Sequence, residues 1–268
     1  MNFKRLALLA LLAPTLTAAQ SPFEGEWTLR PQMSKWSSDS GELFSLSRGV
    51  YRCDTCAPKI EIPADGAAHP VANALGFDSV MVTQVNSRTL RVEKHAGGKV
   101  VREETYTVAP DENTLSLAFT DRFAPKEVVG HISFEREGAV VPQAHLVSGT
   151  WRPVRLVDLG AGSKLTVATI DNGLKVTTGD GRAFEGTFDI KEKPVGGDSN
   201  GATATLAKLS ARSVQINQKQ RSGITDVIRA TVSEDGNTLT VIRADKRRMQ
   251  AITLVYDKSP NTVASNAR

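Results

Sequence analysis

Apolar and polar residues alternate along most of the chain, so that every second side chain of a run is apolar. Leu115, Leu117 and Phe119 share one parity in the first half, and the same pattern returns at residues 252–256. A two-residue period is typical of β-strands that bury one face. Beyond the N-terminal segment no stretch keeps the 3.6-residue period of an amphipathic helix, although residues 31–40 could hold a short helix or an irregular turn. The pattern predicts an all-β protein.

The chain matches itself at an offset of 124 residues. The coinciding landmarks are Gly25/Gly149, Trp27/Trp151, Asp111/Asp235, Asn113/Asn237 and Leu115/Leu239. Chance matches scatter over many offsets, whereas a duplicated unit keeps one offset along its length. The sequence therefore predicts two copies of one domain, and a single larger sandwich is the alternative.

Short turn signals separate the alternating runs. Gly97-Gly98, Asp171-Asn172-Gly173 and Asp180-Gly181 contain residues that accept the positive φ of tight hairpin turns. Successive strands should therefore be antiparallel neighbours. With about eight strands in each copy, closure into an up-and-down barrel would remove the exposed edges of an open meander. We expect two tandem antiparallel β-barrels, with a two-sheet sandwich as the alternative.

The alternation breaks where one copy gives way to the next, around Gly138, Pro142 and Gln143. This places the first β domain at residues 20–136, a linker at 137–146 and the second β domain at 147–258. The last residues, 259–268, are polar and without periodicity, so they are predicted to be a disordered tail.

The N-terminal segment has the three parts of an export signal. Lys4 and Arg5 precede an apolar run from Leu6 to Leu12, and small residues end at Ala19. This order predicts a signal peptide at residues 1–19 and a periplasmic or secreted mature protein. The apolar run is far shorter than the ~20 residues that span a bilayer, so no membrane span is expected.

Charge patterning excludes one class of partner. The chain has 33 Lys and Arg against 29 Asp and Glu, a net charge of +4 that includes two signal-peptide cations. Basic and acidic residues are interleaved apart from Lys246, Arg247 and Arg248. Nucleic acid is therefore not an expected partner, and the sequence identifies no protein partner.

The only cysteines are Cys53 and Cys56. Export to an oxidising compartment predicts a disulfide between them. A thiol-redox role is the alternative, but redox pairs place the first cysteine at a helix N-terminus, whereas here a strand pattern precedes it. The second copy has Thr177 and Asp180 at the matching positions, so the fold does not require the bridge.

No catalytic residue, metal site or cofactor is predicted. The four histidines occur singly, without the spacing that groups tetrahedral zinc ligands. No glycine-rich segment follows a strand and opens a helix, as a phosphate cradle requires. The sequence favours a non-enzymatic protein.

One strand pattern carries charge on its inward parity. Arg102 and Glu104 share parity with Tyr106 and Val108. Such residues could line a polar barrel mouth and contact a ligand, which makes Arg102, Glu104 and Tyr106 candidate binding residues. The alternative is that the strand extends beyond the core into solvent. Residue 228 of the second copy is isoleucine, so such a site would belong to the first domain alone.

The segments Phe23–Trp27 and Val147–Trp151 resemble the Gly-x-Trp motif that opens the first strand of lipocalin-like proteins. With Tyr51–Cys56 and Asp235–Val241, the wider pattern is similar to exported bacterial lipocalin-like proteins without an assigned function. The resemblance implies that each tryptophan closes one end of a barrel and packs against a basic residue near the last strand.

Three functional hypotheses follow. The first is an exported non-enzymatic binding protein for a small apolar or amphipathic ligand or a cell-envelope component. The second is a structural or protein-interaction module with filled barrels. The third is an envelope thiol-redox protein that uses Cys53 and Cys56.

Overall fold

The computed structural model describes residues 21–36, 41–221 and 223–260. The predicted signal peptide and most of the predicted tail lie outside these residues. Within them the chain forms 21 strands and two short 3₁₀ helices, Pro31–Met33 and Gly160–Ser163. None of the helices among these residues has the length and apolarity needed to cross a membrane.

The first sheet is a nearly closed antiparallel barrel of ten strands. Its strands are β3 (Glu42–Ser47), β4 (Val50–Cys53), β5 (Ile60–Pro63), β6 (Asp65–Pro70), β7 (Ser79–Gln84), β8 (Thr89–Ala96), β9 (Lys99–Val108), β10 (Thr114–Asp121), β11 (Val128–Glu137) and β12 (Gly149–Asp158). Each strand pairs with its neighbours in sequence, except that β12 also closes onto β3 and no ladder joins β5 to β6.

The second sheet is a closed antiparallel barrel. Its strands are β1 (Gly25–Leu29), β2 (Lys35–Trp36), β13 (Lys164–Ile170), β14 (Gly173–Thr178), β15 (Ala183–Thr187), β16 (Lys193–Gly196), β17 (Thr203–Lys208), β18 (Ser213–Gln220), β19 (Gly223–Val232), β20 (Thr238–Asp245) and β21 (Gln250–Lys258). Strand β1 pairs with both β13 and β21 and closes the ring. The predicted two tandem β-barrels are therefore confirmed over the sandwich.

The predicted repeat is visible in the strand bounds. Strands β7 to β10 and β17 to β20 begin and end 124 residues apart in all four pairs. The glycines that open the two copies also share one backbone conformation, with φ of 132° at Gly25 and 133° at Gly149. Only glycine adopts such a φ readily, so the first residue of each strand that carries a barrel-closing tryptophan is constrained to glycine in both copies.

The first strand of each copy completes the barrel of the other copy. Strand β12 pairs with β11 and β3 of the first copy, with Trp151 opposite Arg136 and Glu42. Strand β1 pairs instead with β13 and β21 of the second copy, with Thr28 opposite Lys164 and Asp257.

The barrels therefore divide the chain differently from the two repeats. The expected linker at 137–146 lies inside the first barrel, between the paired strands β11 and β12. Because β12 follows β11 in sequence, it pairs with β11 at little cost in loop closure. The second copy then lacks its own first strand, and β1 is the equivalent strand that supplies the missing edge.

Each barrel is filled by its own hydrophobic cluster, and the two clusters meet along β12. Trp151 and Phe134 belong to the first cluster, while Trp27 and Tyr256 belong to the second. Leu156, in the same strand as Trp151, is buried in the second cluster. One continuous strand thus carries core residues of both barrels and couples them.

Loops at the facing ends of the barrels are joined by hydrogen bonds. The backbone N–H of Lys126 donates to the carbonyl oxygen of Asp180 at 2.8 Å. The hydroxyl of Ser199 donates to the carbonyl oxygen of Phe123 at 3.3 Å. These contacts connect the β10–β11 loop of the first barrel to two loops of the second barrel, so the two mouths face each other.

The strand exchange predicts which barrel each tryptophan stabilises. We expect Trp27→Ala to destabilise the second barrel and Trp151→Ala to destabilise the first, each by roughly 3–5 kcal/mol, since each removes a fully buried aromatic side chain. Hydrogen exchange followed by peptide mass spectrometry measures this, and each variant is the control of the other. Faster exchange of β4 to β10 in Trp27→Ala, with β13 to β21 protected, would contradict the exchanged topology.

Candidate functional site

A cavity of about 480 Å³ lies between the two barrel mouths. Its wall is built from the same positions of the two copies, in the pairs Lys94/Gln218, Arg102/Asp226 and Asp121/Asp245. The disulfide loop after β4 and the β20–β21 turn add further residues to the wall. The cavity is therefore a shared space that neither barrel forms alone.

The first barrel contributes a buried charge cluster centred on Glu104, whose side chain is only 8% exposed. Lys94 Nζ lies 3.2 Å from its carboxylate and Arg102 Nε lies 2.6 Å from it. Arg102 Nη1 also donates to Asp121 at 2.6 Å, and the Tyr106 hydroxyl donates to Glu104 at 3.4 Å. Two cations and a phenol thus hold one carboxylate in place.

These neighbours determine the ionisation of Glu104. Burial alone raises the pKa of this carboxyl, but Lys94 and Arg102 outweigh burial and lower the pKa to about 2. Burial lowers the pKa of Lys94, and Glu104 opposes that effect. Burial also raises the pKa of the Tyr106 hydroxyl well above its usual value. At neutral pH the cluster holds a fixed carboxylate beside a protonated phenol, which suits hydrogen bonding more than proton transfer.

The second barrel contributes an ion pair in which the carboxylate is buried and the arginine side chain is half-buried. The Asp226 side chain is 4% exposed and lies 2.7 Å from Arg243 Nε. Burial lowers the pKa of Arg243, but Asp226 outweighs it and the pKa is raised. A further ion pair crosses between the barrels, because Arg248 of the β20–β21 turn lies 2.8 Å from Glu42 of β3.

Three buried polar atoms in the cavity wall have no hydrogen-bond partner within the described part of the chain. They are Arg182 Nε, Gln220 Oε1 and Gln250 Nε2. Arg182 Nε lies 4.0 Å from Asp198, beyond hydrogen-bond distance. Buried polar atoms nearly always have a partner, and one without it costs about 1–3 kcal/mol. These atoms mark the wall as built for polar contacts.

The sequence-predicted binding residues Arg102, Glu104 and Tyr106 all line this cavity. Glu104 is 6% exposed as a whole residue, so the strand does not simply run into solvent at this point. The cavity is not confined to the first domain, however. At the position equivalent to Arg102 the second copy has Asp226, which lines the opposite wall.

The sequence analysis missed the second-barrel half of the site, although a signal was present. Along β18, Val214, Ile216, Gln218 and Gln220 share one parity, so the amides continue an apolar inward pattern. This is the pattern that identified Arg102 and Glu104. Applied to the second copy, it would have found the two glutamines.

The two tryptophans lie at the opposite ends of the barrels. Trp151 Nε1 donates to the Val147 carbonyl at 2.8 Å, and the Arg136 guanidinium lies 4.0 Å from the Trp151 ring centre. Trp27 is the counterpart, with Lys258 Nζ 5.3 Å from its ring centre. Both basic residues belong to the last strand of a copy. The tryptophan ends therefore hold the fold and do not line the cavity.

Cys53 and Cys56 form a disulfide, as predicted. Cys53 ends strand β4 and is fully buried, and Cys56 lines the cavity together with Pro58. The first cysteine does not begin a helix, so no helix dipole is available to stabilise its thiolate. In this arrangement the bridge constrains one loop of the cavity wall.

A second cavity of about 480 Å³ lies at the tryptophan end of the second barrel. Phe23, Leu174 and Phe188 line it, with Lys208 at its edge. It borders Ser21, the first described residue, and has no charge pair in its wall. Across the described ranges, no three His, Cys, Asp or Glu side chains are grouped as a metal ion would require.

No protein-family model, curated protein or solved structure matches the chain. The functional argument therefore depends on the geometry and chemistry of the cavity.

The Glu104 cluster predicts an acid-dependent loss of stability. The folded pKa of Glu104, about 2, lies below its ordinary value of 4.5, so its stabilising contribution is complete above pH 4.5 and is lost as the pH falls towards 2. We expect Glu104→Gln to lower the free energy of unfolding at neutral pH by on the order of 3 kcal/mol and to flatten its decline between these pH values.

Urea unfolding at several pH values measures both effects. Glu103→Gln is the matched control, because it removes the same charge from the outward face of the same strand and should leave the decline unchanged. An equal decline in wild type and Glu104→Gln would show that the cluster does not hold an ionised Glu104.

Proposed function

We propose that this chain is an exported, non-enzymatic binding protein that holds a small amphipathic ligand, such as a component of the cell envelope, between its two barrels. The cavity volume, about 480 Å³, falls within the roughly 300–1,000 Å³ of small-molecule sites. Both barrels contribute to the wall, so a ligand there would contact both copies of the repeat.

One observation carries this proposal: three buried polar atoms that have no hydrogen-bond partner among the described residues line one cavity. Arg182 Nε and Gln250 Nε2 are donors, and Gln220 Oε1 is an acceptor. A wall that served only to join the barrels would be more stable with these atoms paired or replaced by apolar groups. A ligand that pairs with them would recover that stability on binding.

The wall favours an amphipathic ligand over a wholly apolar one. Leu75, Phe77 and Phe123 give the wall apolar contacts, while Gln218, Gln220 and Gln250 give it amide groups. A wholly apolar ligand would cover the unpartnered atoms without pairing them, at about 1–3 kcal/mol for each. A molecule with one apolar and one polar side can contact the apolar side chains and also pair with the amides.

Export and family membership are part of the proposal. The tripartite N-terminal segment supports export, and the disulfide suits an oxidising compartment. The Gly-x-Trp strands, each beneath a basic residue of a last strand, support a lipocalin-like origin for both copies. The departure from a simple lipocalin-like cup is that the proposed site lies between two barrels.

A second candidate is a structural or interaction module. It is favoured by the filled barrel interiors, in which Trp27, Trp151, Tyr51 and Phe44 are buried among aliphatic side chains. In this alternative the cavity binds no ligand, and loops or strand edges contact a protein. The presence or absence of a bound small molecule separates the two candidates.

Native mass spectrometry of protein purified from its own host tests the binding proposal. We expect a co-purifying small molecule that is lost in Gln220→Ala/Gln250→Ala, because that variant removes two of the unpartnered groups. Gln215→Ala is the matched control, since Gln215 belongs to β18 but does not line the cavity. A ligand-free wild-type protein would favour the structural module.

Export is tested by the intact mass of the protein recovered from the periplasm or the medium. We expect a mature chain that begins at Gln20 and carries the disulfide, since the small residues that precede it suit signal cleavage. Full-length protein retained in the cytoplasm would contradict the export proposal.

A further inference from the structure

The charged residues of the cavity wall are already paired with one another. Six cations and six anions line the cavity, and each lies within 4.0 Å of an opposite charge. Beyond the pairs described above, Arg182 lies 4.0 Å from Asp198, and Arg247 lies 3.8 Å from Asp245. As far as the chain is described, the wall is therefore electrically balanced and offers no unmatched charge to a ligand.

This balance disfavours charged ligands. A carboxylate or an ammonium group that entered the cavity would have to break an existing pair or remain buried without a counter-ion. Removing one partner from a buried pair such as Arg102–Glu104 is strongly destabilising, because the remaining charge is left without compensation. Binding of fatty acids, amino acids or phosphorylated molecules would incur this unfavourable free energy, whereas an uncharged ligand would leave every pair intact.

The groups that remain for a ligand are hydrogen-bonding groups of mixed polarity. Gln250 Nε2 and Arg182 Nε require acceptors, while Gln220 Oε1 requires a donor. A hydroxyl group both donates and accepts, so a molecule with several hydroxyls can satisfy all three atoms. Asn200 and Gln218 place two more amides on the same wall.

Apolar residues in the same cavity suit the carbon side of such a molecule. Pro58, Leu75, Phe77 and Phe123 line the first-barrel side of the cavity. The C–H face of a sugar ring is apolar and can pack on aromatic and aliphatic side chains, while its hydroxyl rim stays free for the amides. The cavity therefore offers apolar contacts and hydrogen-bonding groups to the two kinds of surface on one ring.

We infer that the ligand of the cavity is an uncharged, hydroxyl-rich molecule of the saccharide class. This inference rests on the proposed binding function and narrows it to one chemistry. Gln220 and Gln250 form hydrogen bonds with the hydroxyl groups, and the balanced ion pairs disfavour the binding of charged analogues.

Isothermal titration calorimetry of the full mature protein tests the inference with defined probes. The neutral probes are glucose, N-acetylglucosamine, maltose and N,N′-diacetylchitobiose; glucuronic acid, glucosamine and decanoic acid are the charged probes. We expect at least one neutral saccharide to bind with a Kd that stays constant between about 50 mM and about 500 mM NaCl, since no unscreened charge takes part.

Two variants locate the binding. Gln220→Ala/Gln250→Ala should weaken the neutral saccharide about tenfold or more, because two hydrogen bonds of roughly 0.5–1.5 kcal/mol each are lost. Gln215→Ala should leave the Kd within about twofold of wild type. Circular dichroism and unfolding curves confirm that both variants fold.

The outcomes separate the inference from the proposal beneath it. One outcome is that glucuronic acid or decanoic acid binds the wild type and binds Gln220→Ala/Gln250→Ala more weakly, while no neutral saccharide binds. In that case the cavity is a binding site but the saccharide inference is wrong. Saccharide binding that is unchanged in that double variant places the ligand elsewhere and also overturns the inference. If no probe binds and the purified protein carries no small molecule, both the saccharide inference and the proposed binding function are wrong.

Discussion

A closed antiparallel barrel needs a strand that pairs with both its first and its last neighbour, and this chain meets that requirement by exchange. Strand β12 joins β11 to β3 in the nearly closed first barrel, which leaves the second barrel to be completed by β1 from the start of the chain. An unpaired strand edge would expose a row of backbone donors and acceptors. The pairing of β1 with β13 and β21 therefore joins the two ends of the described chain.

The exchange also determines where the two mouths lie. Because β12 carries Trp151 in one core and Leu156 in the other, neither barrel can move freely relative to its neighbour. Loop contacts and the Glu42–Arg248 pair then hold the mouths face to face. The cavity exists because the two copies share strands, and two independent barrels on a linker would not keep it.

Burying charge at these mouths requires that every charge be compensated. Glu104 remains ionised because Lys94 and Arg102 outweigh the cost of desolvation, and the buried Asp226 lies 2.7 Å from Arg243. Such pairs add little net stability compared with apolar packing, but they become costly when one partner is removed. Among the residues that the structure describes, the wall thus combines paired charges with the amides of Gln220 and Gln250, each of which has one atom without a hydrogen-bond partner.

Local patterns in the sequence determined the strands, their antiparallel order, the duplication and the inward direction of Arg102 and Glu104. These properties follow from a two-residue period, from turn residues and from a constant offset, all of which involve neighbouring positions or a direct comparison of copies. Only the tertiary structure decided that the first strands are exchanged, that 137–146 lies within a barrel and that Gln220 and Gln250 line one cavity with Glu104. Strands β1 and β12 are equivalent and carry equivalent side chains, so the side-chain pattern alone cannot show which of them completes which barrel. The direct connection from β11 to β12 decides this in the folded chain, because it places β12 beside β11.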